Sequence, residues 1–345
     1  MKKILTVLGI YFVSGIALSL TILFVAENYV DKLNQSSSIQ SSKNDTGSTQ
    51  NLLSLSDRVI LPDEQYSVQF SYDNKYYTYL KDSKIYICNI KNGEVIHEIE
   101  DSSSDGIIFY ELLYDKNVIV YFTESKGKTS STLNLKTYNI DSEKEVKYNK
   151  FTVYNFSKIK QMHMSPIINI LYINIEVKSG MATTNTIYSI DLFNSMGAVR
   201  SGVQIDSFLM LQLTNNVYYK YSNSNIYYGY TKLNFFNEKV EMIGIDKDDN
   251  VYFIGLESKN KVYKVNRTRL VKTIELTDTD VVKTYSNNQE VYVVYPTYVL
   301  CVSSQNPYFR VGRLTKYVEF VAVKGNMMYL KTSNNVLTMT ELIKE

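Results

Sequence analysis

The side chains that most often carry out chemistry are scarce in this chain of 345 residues, which has two histidines. His97 belongs to a segment whose counterpart later in the chain carries Lys272, and a position that accepts a long cation is expected to face solvent. His163 stands three residues before Pro166, which predicts a surface or hydrogen-bonded imidazole near a strand end, or a ligand contact at the rim of a sheet. Two histidines without a His-Glu-x-x-His motif are too few for a histidine-rich zinc site.

The most metal-like run comprises residues 244–250, with the sequence GIDKDDN. Asp246, Asp248 and Asn250 alternate as the first oxygen ligands of a calcium loop do. Such a loop also needs a glycine at its sixth position, where this chain has Val251. We therefore predict a turn between two strands in place of a metal site.

Catalytic motifs are missing from the sequence. It contains no G-x-S-x-G, no G-x-G-x-x-G and no Walker loop, which excludes a nucleophile elbow and a glycine-rich phosphate cradle. Paired carboxylates for glycoside hydrolysis need only be close in space, so the sequence leaves that chemistry open. We predict no catalytic residues, no cofactor-binding residues, no metal ligands and no cofactor, and we expect a binding protein in preference to an enzyme.

The two cysteines, Cys88 and Cys301, fall in segments that predict strands, in the first and sixth repeats of the chain. Non-neighbouring units would hold their Cα atoms too far apart for a disulfide, which needs a separation below about 7 Å. Because cysteine often serves as a small buried apolar residue, we expect two separate buried thiols.

The apolar run at residues 4–26 is 23 residues long and carries no charge. At a rise of about 1.5 Å per residue such a helix spans about 34 Å, enough to cross a hydrocarbon core of about 30 Å. Lys2 and Lys3 precede the run and Glu27 follows it, so the positive-inside rule places the N-terminus in the cytoplasm. A cleaved signal peptide is the alternative, but the run is longer than such peptides need and lacks an A-x-A exit.

The sequence thus predicts a cytoplasmic N-terminus at residues 1–3, an anchor at 4–26, a polar flexible tether at 27–51 and an extracytoplasmic domain at 52–345. Three cytoplasmic residues cannot form a domain, so any signal to the cytoplasm needs another membrane protein. Gly15 and Ser19 would let a second helix approach closely. With 37 basic against 35 acidic residues, the net charge of +2 gives no reason to expect a nucleic-acid partner.

Beyond residue 52 the chain alternates short β-branched and aromatic runs with Asn, Asp and Ser turns, a pattern typical of an all-β fold. One strand type, ending in Tyr-x-apolar-Asx, recurs at Tyr86, Tyr138, Tyr188 and Tyr263. Weaker copies lie near Tyr228, Val299 and Leu337, and the seven copies have a mean spacing of about 42 residues. Four-stranded repeats of that length predict a β-propeller of about seven blades.

The last repeat supplies three predicted strands, one fewer than a complete blade. Residues 58–61 precede the first complete repeat, and we expect them to add the fourth strand, which would close the ring and remove its exposed edges. The sequence also allows a count of six or eight blades, because the middle repeats are degenerate. Two stacked β-sandwiches are the alternative architecture.

The first repeat, residues 71–100, reads SYDNKYYTYLKDSKIYICNIKNGEVIHEIE. It resembles blades of bacterial propellers of the TolB-like, YVTN-like and quinoprotein-like classes, in which a strand with Tyr-x-x-Asp leads through an Asn-Gly or Thr-Gly turn into the outer strand. The resemblance implies a bacterial propeller and transfers no functional residues. The absence of tryptophan argues against quinone-cofactor chemistry.

Tyrosine is abundant, with 31 residues. In the pairs at residues 76–77, 218–219 and 227–228 one ring falls on each face of a strand, so we expect half of these rings to pack between blades and the others to be able to reach the surface. Exposed tyrosines would suit the stacking of sugars. A coding bias, also visible in the usage of Lys, Asn and Ile, would explain the abundance without any function.

These features favour a membrane-tethered, extracytoplasmic β-propeller that acts as a non-catalytic binding or scaffold module in a bacterial cell-envelope complex. Its expected location is the cell membrane, and its expected partners are envelope or membrane proteins, with glycan as a further candidate. Two alternatives stay open. One is a glycan-binding protein or hydrolase of the envelope, and the other is an accessory subunit of a transport, secretion or signalling complex that acts through the membrane helix.

Overall fold

The described part of the chain forms a ring of seven antiparallel sheets. The computed structural model describes residues 59–341 except 64–65, 103, 165–169, 192–194, 259, 288, 304–309, 312–313, 315–317 and 325–326. The predicted anchor and tether therefore lie outside the described residues. Within the described ranges, no helix has the length and apolar character needed to cross a membrane.

Each blade is an antiparallel meander whose strands pair in chain order. Blade 1 comprises β1 (Gln69–Phe70), β2 (Tyr76–Lys81), β3 (Lys84–Asn89) and β4 (Val95–Ile99). Blade 2 comprises β5 (Ile107–Leu112), β6 (Val118–Lys126), β7 (Ser130–Asn139) and β8 (Lys144–Tyr154). Blade 3 comprises β9 (Phe156–Met164), β10 (Ile170–Ser179), β11 (Ala182–Asp191) and β12 (Ser195–Val203). Blade 4 comprises β13 (Ile205–Met210), β14 (Val217–Tyr221), β15 (Ile226–Tyr228) and β16 (Thr231–Lys232).

The remaining blades continue the same order around the ring. Blade 5 comprises β17 (Val240–Ile245), β18 (Val251–Gly255), β19 (Lys261–Asn266) and β20 (Arg269–Glu275). Blade 6 comprises β21 (Lys283–Ser286), β22 (Val291–Val294), β23 (Val299–Cys301) and β24 (Arg310–Val311). Blade 7 comprises β25 (Val318–Lys324), β26 (Met327–Thr332) and β27 (Leu337–Glu341). From blade 1 to blade 6 the first strands of successive blades contact one another, which places them innermost.

Residues 59–61 close the ring by pairing with the last blade. Ile60 lies opposite Val336 in an antiparallel bridge. The amide of Leu61 donates to the carbonyl of Asn335 (2.8 Å), and the amide of Leu337 donates to the carbonyl of Val59 (2.8 Å). The predicted closure is confirmed for these three residues, and the count of seven blades excludes the two-sandwich alternative.

The recurring Tyr-x-apolar-Asx motif marks the third strand of a blade, and all seven predicted copies fall on third strands. Its Asx residue ends the strand in three of the four clear copies, at Asn89, Asp191 and Asn266. In the remaining copy the Asx residue is Asp141, which lies just beyond β7 and accepts the side-chain amide of Asn117 (3.1 Å). The side-chain Oδ1 of Asn89 caps the turn that follows by accepting the amide of Lys91 (2.8 Å). Asparagine stabilises turns in this way, so the repeat that revealed the fold is structural in origin.

The hydrophobic core is divided into seven clusters, one between each pair of neighbouring blades. Both faces of the second and third strands are therefore covered. Tyr218 packs toward blade 5 and Tyr219 packs toward blade 3, and both rings are buried. The expectation that half of the paired tyrosines lie between blades is wrong for this pair, because a propeller blade has a neighbour on each face.

The second strand of each blade carries at least one buried tyrosine: Tyr77, Tyr121, Tyr172, Tyr218 with Tyr219, Tyr252, Tyr292 and Tyr329. Most of their hydroxyls reach a partner at the edge of the core. Tyr172 donates to the carbonyl of Asn215 (2.8 Å), Tyr252 to the carboxylate of Asp246 (2.9 Å) and Tyr329 to the side chain of Asn74 (2.7 Å). Tyrosine fills the wide interblade space while its polar tip stays hydrogen-bonded, which gives its abundance a physical role.

The first strands of blades 5 and 6 approach closely at Gly244. A Cβ atom added there would lie 2.3 Å from the Cβ of Ser286 and 3.1 Å from a methyl of Val291. We expect Gly244→Ala to lower the free energy of unfolding by about 2 kcal/mol, because overpacking forces the strands apart. Urea denaturation measures this loss, and Ser286→Gly should restore part of it. The control Gly197→Ala, where the nearest atom is 3.8 Å away, should change stability by less than about 0.5 kcal/mol.

Candidate functional site

The central channel contains a cavity of about 260 Å³. Four blades line it through their first strands, β1, β5, β21 and β25. Among the described lining residues, the two with charged side chains are Glu111 of β5 and Lys324 of β25. Blade 1 lies between blades 2 and 7 in the ring, so the carboxylate and the ammonium flank the strand that carries Gln69.

Burial dominates the ionisation of both groups. It raises the pKa of the Glu111 carboxyl to about 8, and Lys324 counteracts this rise. Burial also lowers the pKa of the Lys324 ammonium, against the attraction of Glu111 and Asp115. Perturbed titratable groups that line a cavity are a recognised mark of functional sites.

The two buried lysines of the described ring are directly paired. Lys136 contacts Asp101 at 2.8 Å, and Lys220 contacts Glu241 at 2.7 Å and Asp206 at 3.1 Å. Glu111 and Lys324 differ, since neither side chain makes a hydrogen bond or a direct ion pair within the described part of the chain. Each acts on the charge of the other without direct contact, so these two groups stand apart from the structural ion pairs.

A polar link crosses the ring at the end where strands 1 and 2 of each blade are joined. The hydroxyl of Tyr114, which also lines the cavity, donates to the side-chain oxygen of Gln212 at 2.7 Å and so connects blade 2 to blade 4. Asp249 of blade 5 accepts the amides of Gln212 (2.6 Å) and Leu213 (2.9 Å). The link fixes the loops of three blades beside the cavity.

A second concave surface lies where blade 1 meets the closing strand, and we call it the tyrosine groove. It has a volume of about 320 Å³ and is lined by residues 60–63 and by Tyr66, Tyr77, Tyr79 and Val95. The rings of Tyr66 and Tyr79 are 6.3 Å apart, and Tyr79 stacks on Tyr86 at 5.0 Å. Half of the side-chain surface of Val95 and nearly two thirds of that of Ile60 are exposed (47% and 64%), so the groove has an apolar margin.

The chain shares its fold with a protein of solved structure. A chain from the crystal structure of the mitotic checkpoint complex has a TM-score of 0.52 and 11% identity, over 89% of this chain and 99% of that chain. A eukaryotic initiation factor has a TM-score of 0.44 and 10% identity, over 82% of this chain and 67% of that chain. The computationally designed Ika8 protein has a TM-score of 0.45 and 12% identity, over 83% and 99%. The likeness is one of fold alone. No protein family and no curated protein matches the chain.

The two histidines occupy structural positions. His97 lies exposed on the outer strand of blade 1, as predicted, and its ring stacks on Tyr138 of blade 2 at 4.9 Å. His163 lies on the innermost strand of blade 3, one residue from its end, with Nε2 3.2 Å from the carbonyl of Phe208 in blade 4. The prediction of a hydrogen-bonded imidazole near a strand end is confirmed, and the ring joins two blades.

Burial lowers the pKa of His163 to about 4, which makes folding stability depend on pH. Between about pH 6.5 and pH 4 the unfolded chain takes up a proton that the folded ring rejects, so stability falls by about 3 kcal/mol as the pH falls. We expect His163→Gln to lose this contribution in urea denaturation curves measured across that range. His97→Gln is the matched control, in which the His163 contribution should persist.

The acidic run at residues 246–250 forms the predicted turn between β17 and β18. Oδ1 of Asp246 accepts the amides of Asp248 and Asn250 (both 2.9 Å). Oδ2 accepts the Tyr252 hydroxyl and lies 3.3 Å from Lys264. Both carboxylate oxygens of Asp246, the first ligand of the calcium-like pattern, are therefore bound by protein groups.

Cys88 of blade 1 and Cys301 of blade 6 are both buried thiols, which confirms the prediction. Elsewhere in the described ranges, no cluster of three His, Cys, Asp or Glu side chains is placed to hold a metal ion. The absence of catalytic, cofactor-binding and metal-binding residues stays a prediction.

Sequence reasoning missed Glu111 and Lys324. The sequence did contain a sign of these two residues, since each is a charged residue in a largely apolar strand. Glu111 lies within the strand Ile107–Leu112, and Lys324 ends the strand Val318–Lys324. A charge inside an apolar strand points to a special site. What the sequence lacked was the pairing itself, since 213 positions separate the two residues in the chain and only ring closure brings them to one cavity.

Proposed function

We propose that this chain is a non-catalytic binding or scaffold module, held by residues 4–26 in the membrane of a bacterial cell and placed outside it by the tether at residues 27–51. The uncharged apolar run, Lys2 and Lys3 before it, and the polar composition after it support this topology. The propeller fold suits the role, because a closed ring presents loops and outer strands on a rigid frame.

The tyrosine groove carries the proposal. Its margin exposes Ile60 and Val95, and the neighbouring Ile96 is also exposed (47%). Val95 and Ile96 belong to an outer strand, which offers unpaired backbone groups as well as apolar side chains. Apolar side chains next to tyrosines are typical of surfaces that bind proteins. We therefore infer that an envelope or membrane protein docks on blade 1.

Photo-crosslinking in cells tests this inference. A crosslinking amino acid placed at Ile60 or at Val95 of the tagged full-length chain should capture one defined protein, identified by mass spectrometry. The same amino acid at the exposed Met181 of blade 3 is the control and should not. The adduct should persist when residues 4–26 are replaced with an unrelated anchor. Loss of the adduct with the new anchor would favour an accessory subunit that acts through its helix, and no protein adduct at either site would overturn the proposal.

Glycan binding is the second candidate, because the ring of Tyr66 and the stacked rings of Tyr79 and Tyr86 offer aromatic faces to a sugar. Hydrolysis has less support, since Glu111 is the one carboxylate among the described residues that line the channel cavity. Binding to purified cell-wall glycan, lost in Tyr79→Ala and kept in Tyr230→Ala, would support this candidate. Tyr230 is an exposed ring on blade 4 and lies outside the groove.

A further inference from the structure

The channel cavity brings an acidic and a basic side chain to one space. Glu111 is partly buried and borders the cavity, and its carboxyl group makes no hydrogen bond or direct ion pair within the described residues. Lys324 is also partly buried and borders the same cavity, and its ammonium makes no hydrogen bond or direct ion pair there. The two groups thus border one cavity on either side of blade 1.

From this arrangement we infer that the cavity binds a small zwitterion of the α-amino acid class, whose ammonium pairs with Glu111 and whose carboxylate pairs with Lys324. The inference is independent of the protein partner proposed above. Binding is non-covalent, and no bond is made or broken.

Charge selects this class of ligand over the others. A simple anion would pair with Lys324 alone, and a simple cation would pair with Glu111 alone. A zwitterion pairs with both groups and brings no net charge into the cavity. Because burial raises the pKa of Glu111 to about 8, its carboxyl is mostly protonated at pH 7, so the ligand's ammonium must displace that proton and binding should tighten as the pH rises toward 8.

The size of the cavity also favours a ligand as small as an amino acid. The cavity of about 260 Å³ falls just below the range of about 300–1,000 Å³ that is typical of ligand pockets. Its wall combines the aromatic rings of Phe109 and Tyr285 with the polar side chain of Asn287. A molecule as small as an amino acid fits such a space, whereas a peptide or an oligosaccharide does not.

Thermal unfolding of the full-length chain tests the inference at pH 7. An equimolar mixture of the standard α-amino acids with uncharged side chains, at millimolar concentration, should raise the Tm by at least about 2 °C. The matching mixtures of N-acetyl amino acids, which are anions, and of amino-acid amides, which are cations, should not raise it. Calorimetry with the single amino acids then identifies the tightest ligand.

Two variants locate the site. Glu111→Gln and Lys324→Met should each weaken binding of that amino acid at least about tenfold, because each leaves one ligand charge unpaired. Glu257→Gln and Lys272→Met are the controls, since both residues are exposed and lie outside the cavity. The inference is overturned if the mixture leaves the Tm unchanged, if either singly charged mixture stabilises equally, or if the cavity variants bind as the wild type does.

Discussion

The double variant Val59→Asp/Leu61→Asp should lose at least about 5 kcal/mol of its free energy of unfolding. Both side chains are buried, with 1% and 4% of their surface exposed, in the cluster that joins blade 1 to blade 7. Truncating a buried leucine alone costs about 2–5 kcal/mol, and an unpaired carboxylate in the same place costs more. The total is comparable with the entire stability of many domains, about 5–15 kcal/mol. We therefore expect the ring to open between its first and last blades.

Urea denaturation of the purified full-length chain measures the loss, and size-exclusion chromatography measures its consequence. Opening exposes β27 as an edge strand, and exposed edges invite association between chains. Ile60→Asp is the matched control. It introduces the same charge in the same strand, but the Ile60 side chain is 64% exposed, so the change should cost less than about 0.5 kcal/mol. A double variant that unfolds at the same urea concentration as the wild type would show that the ring does not depend on its closing strand.

The overall fold could be predicted because its strongest signal is local. Asn89 caps the turn directly after the third strand of blade 1, and the same Tyr-x-apolar-Asx pattern recurs at Tyr138, Tyr188 and Tyr263. The closing strand could be predicted from the same repeat, because a unit one strand short needs a strand from elsewhere. The prediction of seven blades came from the spacing of this recurring strand, with weaker copies near Tyr228, Val299 and Leu337.

The environment of the side chains could not be predicted in the same way. Tyr218 and Tyr219 point to opposite faces of β14, and the sequence alone does not say whether the second face meets solvent or another blade. In a ring both faces meet a blade, so both rings are buried. Glu111 and Lys324 present the same difficulty on a larger scale, because their proximity arises from blade order and leaves no trace in sequence spacing.

Glu111→Gln should make the protein more stable at pH 8, by up to about 4 kcal/mol. The pKa of Glu111 is raised by burial from 4.5 to about 8, so between these values the folded ring holds a proton that the unfolded chain has released. Stability contributed by this proton is complete below pH 4.5 and is lost as the pH rises through 8. Glutamine keeps the shape of the protonated acid and never ionises. The variant should therefore match the wild type near pH 4.5 and exceed it at pH 8, as measured by urea denaturation at both pH values.

The same exchange at Glu257, an exposed carboxylate outside the cavity, controls for the loss of one negative charge. A Glu111→Gln variant that is less stable than the wild type at pH 8 would mean that the carboxylate is already paired, and would remove the basis for a ligand there. The expected gain in stability would mean that the Glu111 carboxylate has no stabilising partner in the folded protein. Selection tolerates a destabilising buried charge where function needs it, since activity and stability commonly trade against each other. If the substitution of Glu111 stabilises the fold and abolishes amino-acid binding, Glu111 is a ligand-binding residue. Substitution of a residue with a structural role would destabilise the fold instead.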